Sequence, residues 1–220
     1  MYQDAFNHIA PSWYNLRHHS IMLPELQALA QKWGNGRLLN IGCAHGADFI
    51  PFKEHFKMTG VDIAWQMETY LQKYSTKFGF TAEFKCADMV CLPFDDQSFD
   101  WLISIACLHH LETATDRLKA LQEMKRVLQK GGEAFISVWN KGQERFADGS
   151  KEQIIPYTTT TTDHKKNRKV LRYHYLYEYD ELASLAKEAG FQVISILPET
   201  SHIGPAATSR NICLLLKKED

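Results

Sequence analysis

At 220 residues, 45% hydrophobic and 23% charged, the chain can bury a core of its own, which argues against disorder and suits one domain over 1–220. A net charge of −1 argues against a stand-alone nucleic-acid binder, because neutralising phosphates takes an excess of Lys and Arg. No stretch approaches the roughly 18 consecutive apolar residues of a membrane span, and Met1-Tyr2-Gln3-Asp4 opens no basic-then-apolar leader, so a cytoplasmic chain with no membrane partner is expected.

Residues 2–16 place Tyr2, Phe6, Ile9, Trp13 and Leu16 at helical spacing, with Pro11 expected to break the run. A second helix is predicted over 23–33, ended by Gly34-Asn35-Gly36, and residues 1–35 are expected to lie over the active site. Residues 37–41 form a first strand. The loop Gly42-Cys43-Ala44-His45-Gly46 follows, bare enough for a ligand to approach the backbone. A short helix is expected near 47–55, a second strand over 57–62, a helix over 64–78 and a third strand over 80–85.

Phe99–Ile105 is apolar without alternation, as a strand buried on both faces should be. A helix over 115–130 is expected to stop at Gly131-Gly132, with a fifth strand over 133–139. Residues 140–177 are read as a lid or insertion, polar through 170 and carrying five consecutive threonines. A helix over 179–189 and strands over 191–197 and 212–216 complete the chain. Alternating strands and helices give a doubly wound α/β fold. Its seven-stranded sheet is mostly parallel, has helices on both faces and ends in an antiparallel edge.

Five scattered cysteines (Cys43, Cys86, Cys91, Cys107 and Cys213) without a Cys-x-x-Cys pair read as free thiols. No metal centre is expected. His109-His110 is a suggestive pair, but no carboxylate or Cys stands at ligand spacing.

In an open parallel sheet, ligands bind beyond the carboxyl ends of the strands. Asp62, ending the second strand, is placed to accept both ribose hydroxyls of a nucleoside. Asp88 can accept from an adenine amino group, between Ile63 and Met89 as apolar walls. The loop is neither G-x-G-x-x-G nor a Walker motif. Loop and two acids together suit S-adenosylmethionine better than NAD or ATP, with Gly42, Cys43, Ala44, Gly46 and Ala106 completing the cofactor set.

Ile41-Gly42-Cys43, Leu92-Pro93-Phe94 with Ser98-Phe99-Asp100, and Glu123 through Gly132 resemble the class I S-adenosylmethionine-dependent methyltransferases. Ala44 replaces that family's middle Gly, and Asn40 a usual Asp. A narrower series is similar to the eukaryotic and archaeal tRNA wobble-uridine carboxymethyl methyltransferases. It runs from Ile9-Ala10 and Arg17, through Ile103–His110 and Val138-Trp139-Asn140, to Arg172-Tyr173-His174 and Glu181-Leu182. Leu16 departs from it, as do Ile21-Met22 and the segment 201–205.

The resemblance implies methyl transfer to the carboxylate of 5-carboxymethyluridine in the tRNA anticodon loop, giving an ester. Arg17 and Arg172 are the candidates to hold that carboxylate, with His109, Trp139, Tyr173 and His174 lining the pocket. Plainer readings stand beside these: a loop hydrogen bond for His110, sheet core for Trp139, a surface ion pair for Arg17 and a solvated loop for the basic set from Lys165 to Arg172. Lys165, Lys166, Arg168 and Lys169, close to three tyrosines, are candidate RNA contacts, since cations and stacking surfaces suit single-stranded loops. The resemblance also implies a small zinc-ribbon activator subunit, for which Phe80–Phe84 offers an edge strand. Two alternatives stand: a small-molecule O- or N-methyltransferase of the same fold, and a non-catalytic RNA-binding relative.

Overall fold

Leu38, Leu39 and Ile41 are all buried, as a strand covered on both faces requires. In the structure, a computed structural model that describes residues 2–146, 149–159 and 167–219, they lie in the first of nine strands. These are β1 (Gly36–Ile41), β2 (Phe56–Asp62), β3 (Glu83–Cys86), β4 (Phe99–Ile105), β5 (Leu128–Trp139), β6 (Glu152–Thr158), β7 (Lys169–Tyr175), β8 (Gln192–Pro198) and β9 (Asn211–Lys217). Seven form one sheet in the order β3-β2-β1-β4-β5-β9-β8. The first five pair in parallel, while β9 runs antiparallel to β5 and to β8. The chain's direction across the sheet reverses between β1 and β4, which opens a crevice at the carboxyl ends of those strands.

Helices α1 (Tyr2–Leu16), α2 (Leu23–Trp33), α3 (Met67–Phe78), α4 (Ala114–Val127) and α5 (Tyr179–Glu188) complete the framework. One face buries Leu26, Leu29 and Trp33 of α2 with Leu71 and Tyr74 of α3. The other buries Leu121, Met124 and Val127 of α4 with Leu182 and Ala186 of α5. Thr113 caps α4, its Oγ1 accepting the Asp116 N–H at 3.0 Å. Glu123 and Arg126 staple the loop before β4 to α4: Leu92 N–H donates to Glu123, and Arg126 donates to the carbonyls of Leu92 and Phe94. That staple ties Leu92-Pro93-Phe94 to Glu123 across the fold.

Three expectations change. Pro11 does not break α1, which is continuous across it. The buried neighbours Ile9, Ala10 and Ser12 hold the helix against the lost hydrogen bond. The fourth helix ends at Val127 and Gly131-Gly132 lie inside β5. There Phe99 pairs with Leu128 but Trp101 with Glu133, so the intervening residues bulge, and a Cβ on Gly132 would sit 2.7 Å from the Asp100 carbonyl. The third strand is Glu83–Cys86; Phe80 precedes it and is buried against Phe49 and Tyr74, away from any edge partner. The polar insertion contains an antiparallel hairpin, β6 with β7, that the sequence periodicity did not reveal. Among the described residues no helix is long and apolar enough to cross a membrane.

Candidate active site

A cavity of about 510 Å3 lies beyond the carboxyl ends of β1, β2 and β4. Helix α1 closes it on one side through Phe6, Ile9 and Trp13, with Arg17 just after its end, and the β6–β7 hairpin on another through Ile155, Tyr157, Arg172 and His174. Helix α2, expected over the site with α1, packs instead on a sheet face.

At one end the loop after β1 turns through left-handed backbone at Gly42 (φ +74), Ala44 (φ +46) and Gly46 (φ +89). A Cβ on Gly42 would meet the Cys107 sulfur at 2.3 Å, so that position requires glycine. Ala44 adopts its conformation against the preference of an L side chain. The Asp62 carboxylate holds it there, accepting the Ala44 N–H and the Ala64 N–H, each at 2.9 Å. Burial lifts the Asp62 pKa to about 6, against those hydrogen bonds, which lower it. Asn40, beneath the loop, is fully buried, and its side-chain amide faces the Asp48 carboxyl.

Gly42, Cys43, Ala44, Asp62, Ile63, Asp88, Met89 and Ala106 all line this end. Gly46 does not: a side chain there would strike Leu71, so it shapes the turn. The Cys43 thiol likewise points at Gly60, leaving its backbone to the cavity. A bare loop, two acids and apolar walls from Ile63 and Met89 fit a nucleoside cofactor.

The other end is aromatic and basic. Arg17 lies 4.6 Å over Trp13, Trp13 is 6.1 Å from Tyr157, and Arg172 is 5.0 Å over Tyr157. This ladder brings residues from α1 and from the hairpin to one mouth. Burial lowers the pKa of both arginines, yet among the described residues no carboxylate lies within 4.0 Å of either. Arg172 Nε and the Tyr157 hydroxyl are buried without partners.

His109, His110 and His174 meet beside them. The Trp139 N–H donates to His109 Nδ1 at 3.3 Å, which assigns the proton to Nε2. His110 Nδ1 donates to the Tyr173 carbonyl at 2.9 Å and His174 Nδ1 to the Arg172 carbonyl at 3.1 Å, leaving each Nε2 a lone pair. The loop-carbonyl reading of His110 is therefore the observed one. Burial pushes the pKa of His110 down to about 4, that of His174 to about 3 and that of His109 well below the usual range. All three rings are neutral near pH 7.

Although no metal centre was expected, the hairpin brings His174 to the paired histidines, with candidate ligand atoms within 4.8 Å of one another. Of the three, the tautomers leave an uncommitted lone pair on His110 and His174 but not on His109, and Arg172 adds an adjacent positive charge. That donor set falls short of the three or four ligands of a zinc site.

Trp139 is nearly buried and stacked on His174 at 4.5 Å and 20°, while still lining the cavity. Tyr173 is not in the pocket. Successive residues of a strand face opposite ways, so Arg172 and His174 point inward, and the Tyr173 hydroxyl donates to the Glu112 carbonyl at 3.2 Å. Arg168 and Lys169 are exposed near the hairpin end, outside the cavity; Lys165 and Lys166 lie outside the described residues. Sequence reasoning missed Tyr157, Arg145 and Arg210, which also line the cavity. The signal for Arg210 was its place immediately before β9, whose Asn211 pairs with Trp139.

Residues 39–136 match a family model described as a methyltransferase domain. The chain is 40% identical to a probable tRNA methyltransferase 9B of Homo sapiens over 70% of this chain and 32% of that protein. It is 33% identical to the tRNA (carboxymethyluridine(34)-5-O)-methyltransferase of Arabidopsis thaliana over 64% of this chain and 33% of that protein. The chain thus spans about a third of the length of these curated relatives. The crystal structure of an S-adenosylmethionine-dependent methyltransferase from Clostridium acetobutylicum matches with a TM-score of 0.79 over 98% of this chain and 99% of that one; at 13% identity the likeness is one of fold.

Proposed function

We propose that this chain, which belongs to the class I S-adenosylmethionine-dependent methyltransferases, methylates the carboxylate of 5-carboxymethyluridine at the tRNA wobble position. S-adenosylmethionine is its cofactor and supplies an electrophilic methyl on a sulfonium sulfur. Asp62 accepts the ribose hydroxyls and Asp88 the adenine amino group. Ile63 and Met89 flank the ring, and the backbone of Gly42, Cys43, Ala44 and Ala106 lies along the rest of the cofactor.

The observation that carries the reading is the pair Arg17 and Arg172: half-buried guanidinium groups at one mouth, with no carboxylate within 4.0 Å of either among the described residues and with Asp48 acting on Arg17 only from farther off. A guanidinium fork matches a carboxylate. A carboxylate is already ionised near neutrality, so no residue has to take a proton from it. Arg17 and Arg172 fix the attacking oxygen, the His109 Nε2–H stands ready to donate to the second oxygen, and Trp139 with His174 excludes water. The name of the Arabidopsis relative supports the same substrate, and that of the human relative supports a tRNA acceptor.

Lys165, Lys166, Arg168 and Lys169 extend the contact to the anticodon loop. Residues 140–177 act as the lid over the acceptor. A zinc-ribbon activator would pair along β3, an edge strand of the sheet. The test is transfer of labelled methyl from S-adenosylmethionine to tRNA carrying 5-carboxymethyluridine, with a base-labile product. No transfer with or without an activator refutes the proposal.

A further inference from the structure

Trp139 carries two more guanidinium groups at the rim of the cavity. Arg145 lies in the helical turn Glu144–Phe146, 4.6 Å from the Trp139 ring centroid and 4.4 Å from that of Phe146. Arg210 precedes β9 and lies 5.9 Å from the same indole centroid. Its backbone N–H is anchored on Glu199 at 3.2 Å, while its guanidinium turns to the indole. Arg145 Nε donates to the neutral Gln143 Oε1 at 3.1 Å.

Arg145 and Arg210 line the same cavity as Arg17 and Arg172, and among the described residues no carboxylate lies within 4.0 Å of any of the four guanidinium groups. Burial lowers the pKa of Arg145 and of Arg17; the nearby charge of Arg210 lowers both further, and Asp48 raises that of Arg17. Asp48 faces Arg17 and the Glu199 carboxylate is spent on the backbone N–H of Arg210, so among the described residues the rim guanidinium groups of Arg145 and Arg210 have no ion-pair partner within 4.0 Å. Cations so placed repel one another, and an anionic ligand relieves that repulsion. One substrate carboxylate satisfies Arg17 and Arg172, which are partly buried. The rim pair is exposed and needs a second anion, outside the pocket that takes the base.

We propose that Arg145 and Arg210, fixed on Trp139, form a phosphate subsite that binds the polynucleotide backbone adjoining the nucleoside whose base enters the cavity. Arg over an aromatic platform gives a phosphate two planar donor forks whose orientation is already set. The subsite selects a nucleotide within a chain over a free nucleoside. It rests on the proposed function for the identity of the base, but the phosphate preference is separable from it.

The test is calorimetric titration of four ligands into the protein saturated with S-adenosylhomocysteine, so that the cofactor's own carboxylate is already housed. The ligands are uridine, 5-carboxymethyluridine and the 3′,5′-bisphosphate of each. The bisphosphates should bind at least tenfold tighter than their nucleosides, and most of that factor should vanish in the Arg145→Gln/Arg210→Gln variant. Each single substitution should remove part of it. Equal affinity with and without phosphates, or a gain that survives in the double variant, overturns the subsite. A phosphate gain in both pairs with no preference for the carboxymethyl group supports the subsite and refutes the base assignment. A carboxymethyl preference with no phosphate gain does the reverse.

Discussion

Asp62 tests the cofactor site most directly. Its two oxygens accept the N–H groups of Ala44 and Ala64 at 2.9 Å each, and burial lifts its pKa to about 6. In Asp62→Asn, one oxygen becomes an NH2 group. Whichever backbone N–H faces it loses an acceptor, and the ribose hydroxyls lose a charged one. A hydrogen bond to a charged group contributes roughly 1.5–3 kcal/mol, so binding of S-adenosylhomocysteine should weaken by about 2 kcal/mol, or roughly 30-fold. Calorimetry at pH 8 measures this. A second arm uses pH. The wild-type carboxylate takes up a proton as pH falls through about 6, so wild-type affinity should decline below that point, while the Asn variant stays nearly flat. An affinity within about threefold of wild type, on the scale of an uncharged contact, would refute the ribose assignment. So would a wild-type profile that is level from pH 8 to pH 5.

Arg172→Lys keeps the charge and loses the fork. Single-turnover methyl transfer should slow on the order of tenfold or more, with cofactor affinity retained. At Ala44, φ +46 penalises every L side chain, so Ala44→Gly should leave urea stability within about 1 kcal/mol of wild type, strain relief offsetting glycine's extra chain entropy, whereas Ala44→Val should lose more. Folded-state pKa values of about 4 for His110 and about 3 for His174 lie below the unfolded value near 6.5, so the unfolded chain binds the extra protons in between. Stability should therefore be complete above about pH 6.5 and fall with acidification, by about 2 kcal/mol per buried histidine at pH 5, with Asp62 working in the opposite sense. Urea titrations from pH 8 to pH 5 would measure this; a level stability over that range would mean the rings are solvated.

The cofactor half of the molecule was legible because its signals are local. A strand run, a left-handed turn that needs glycine and an acid at a strand end each occupy a few consecutive residues. Gly42 and Asp62 accordingly sit where their spacing placed them. The acceptor half is assembled from α1, β5, the hairpin and the start of β9, and no local pattern encodes their meeting. In the sequence Arg172-Tyr173-His174 looks like one lining segment, because the polar composition of the insertion hides its periodicity. Once it is a strand, alternation removes Tyr173 and keeps its neighbours. Gly131-Gly132 misled for a related reason: glycine marks a helix end and a strand bulge alike, and only pairing with β4 distinguishes them.

The electrostatics of the acceptor end bear on which methyl acceptor suits it. An amine or phenol must lose a proton on methylation, and the nearby histidines are poor receivers: His110 and His174 have pKa values of about 4 and about 3, and His109 is lower than usual as well. His109 offers the cavity a proton rather than a lone pair, because its Nδ1 is committed to the Trp139 N–H. Next to these neutral rings stand two desolvated guanidinium groups. Together they stabilise a negative charge that arrives with the substrate and weaken any base that would create one. This favours a carboxylate acceptor over the small-molecule amine alternative. The distinction is measurable: the rate of methyl transfer should be nearly independent of pH from 7 to 9, whereas transfer to a protonated amine should rise about tenfold per pH unit until its pKa is passed.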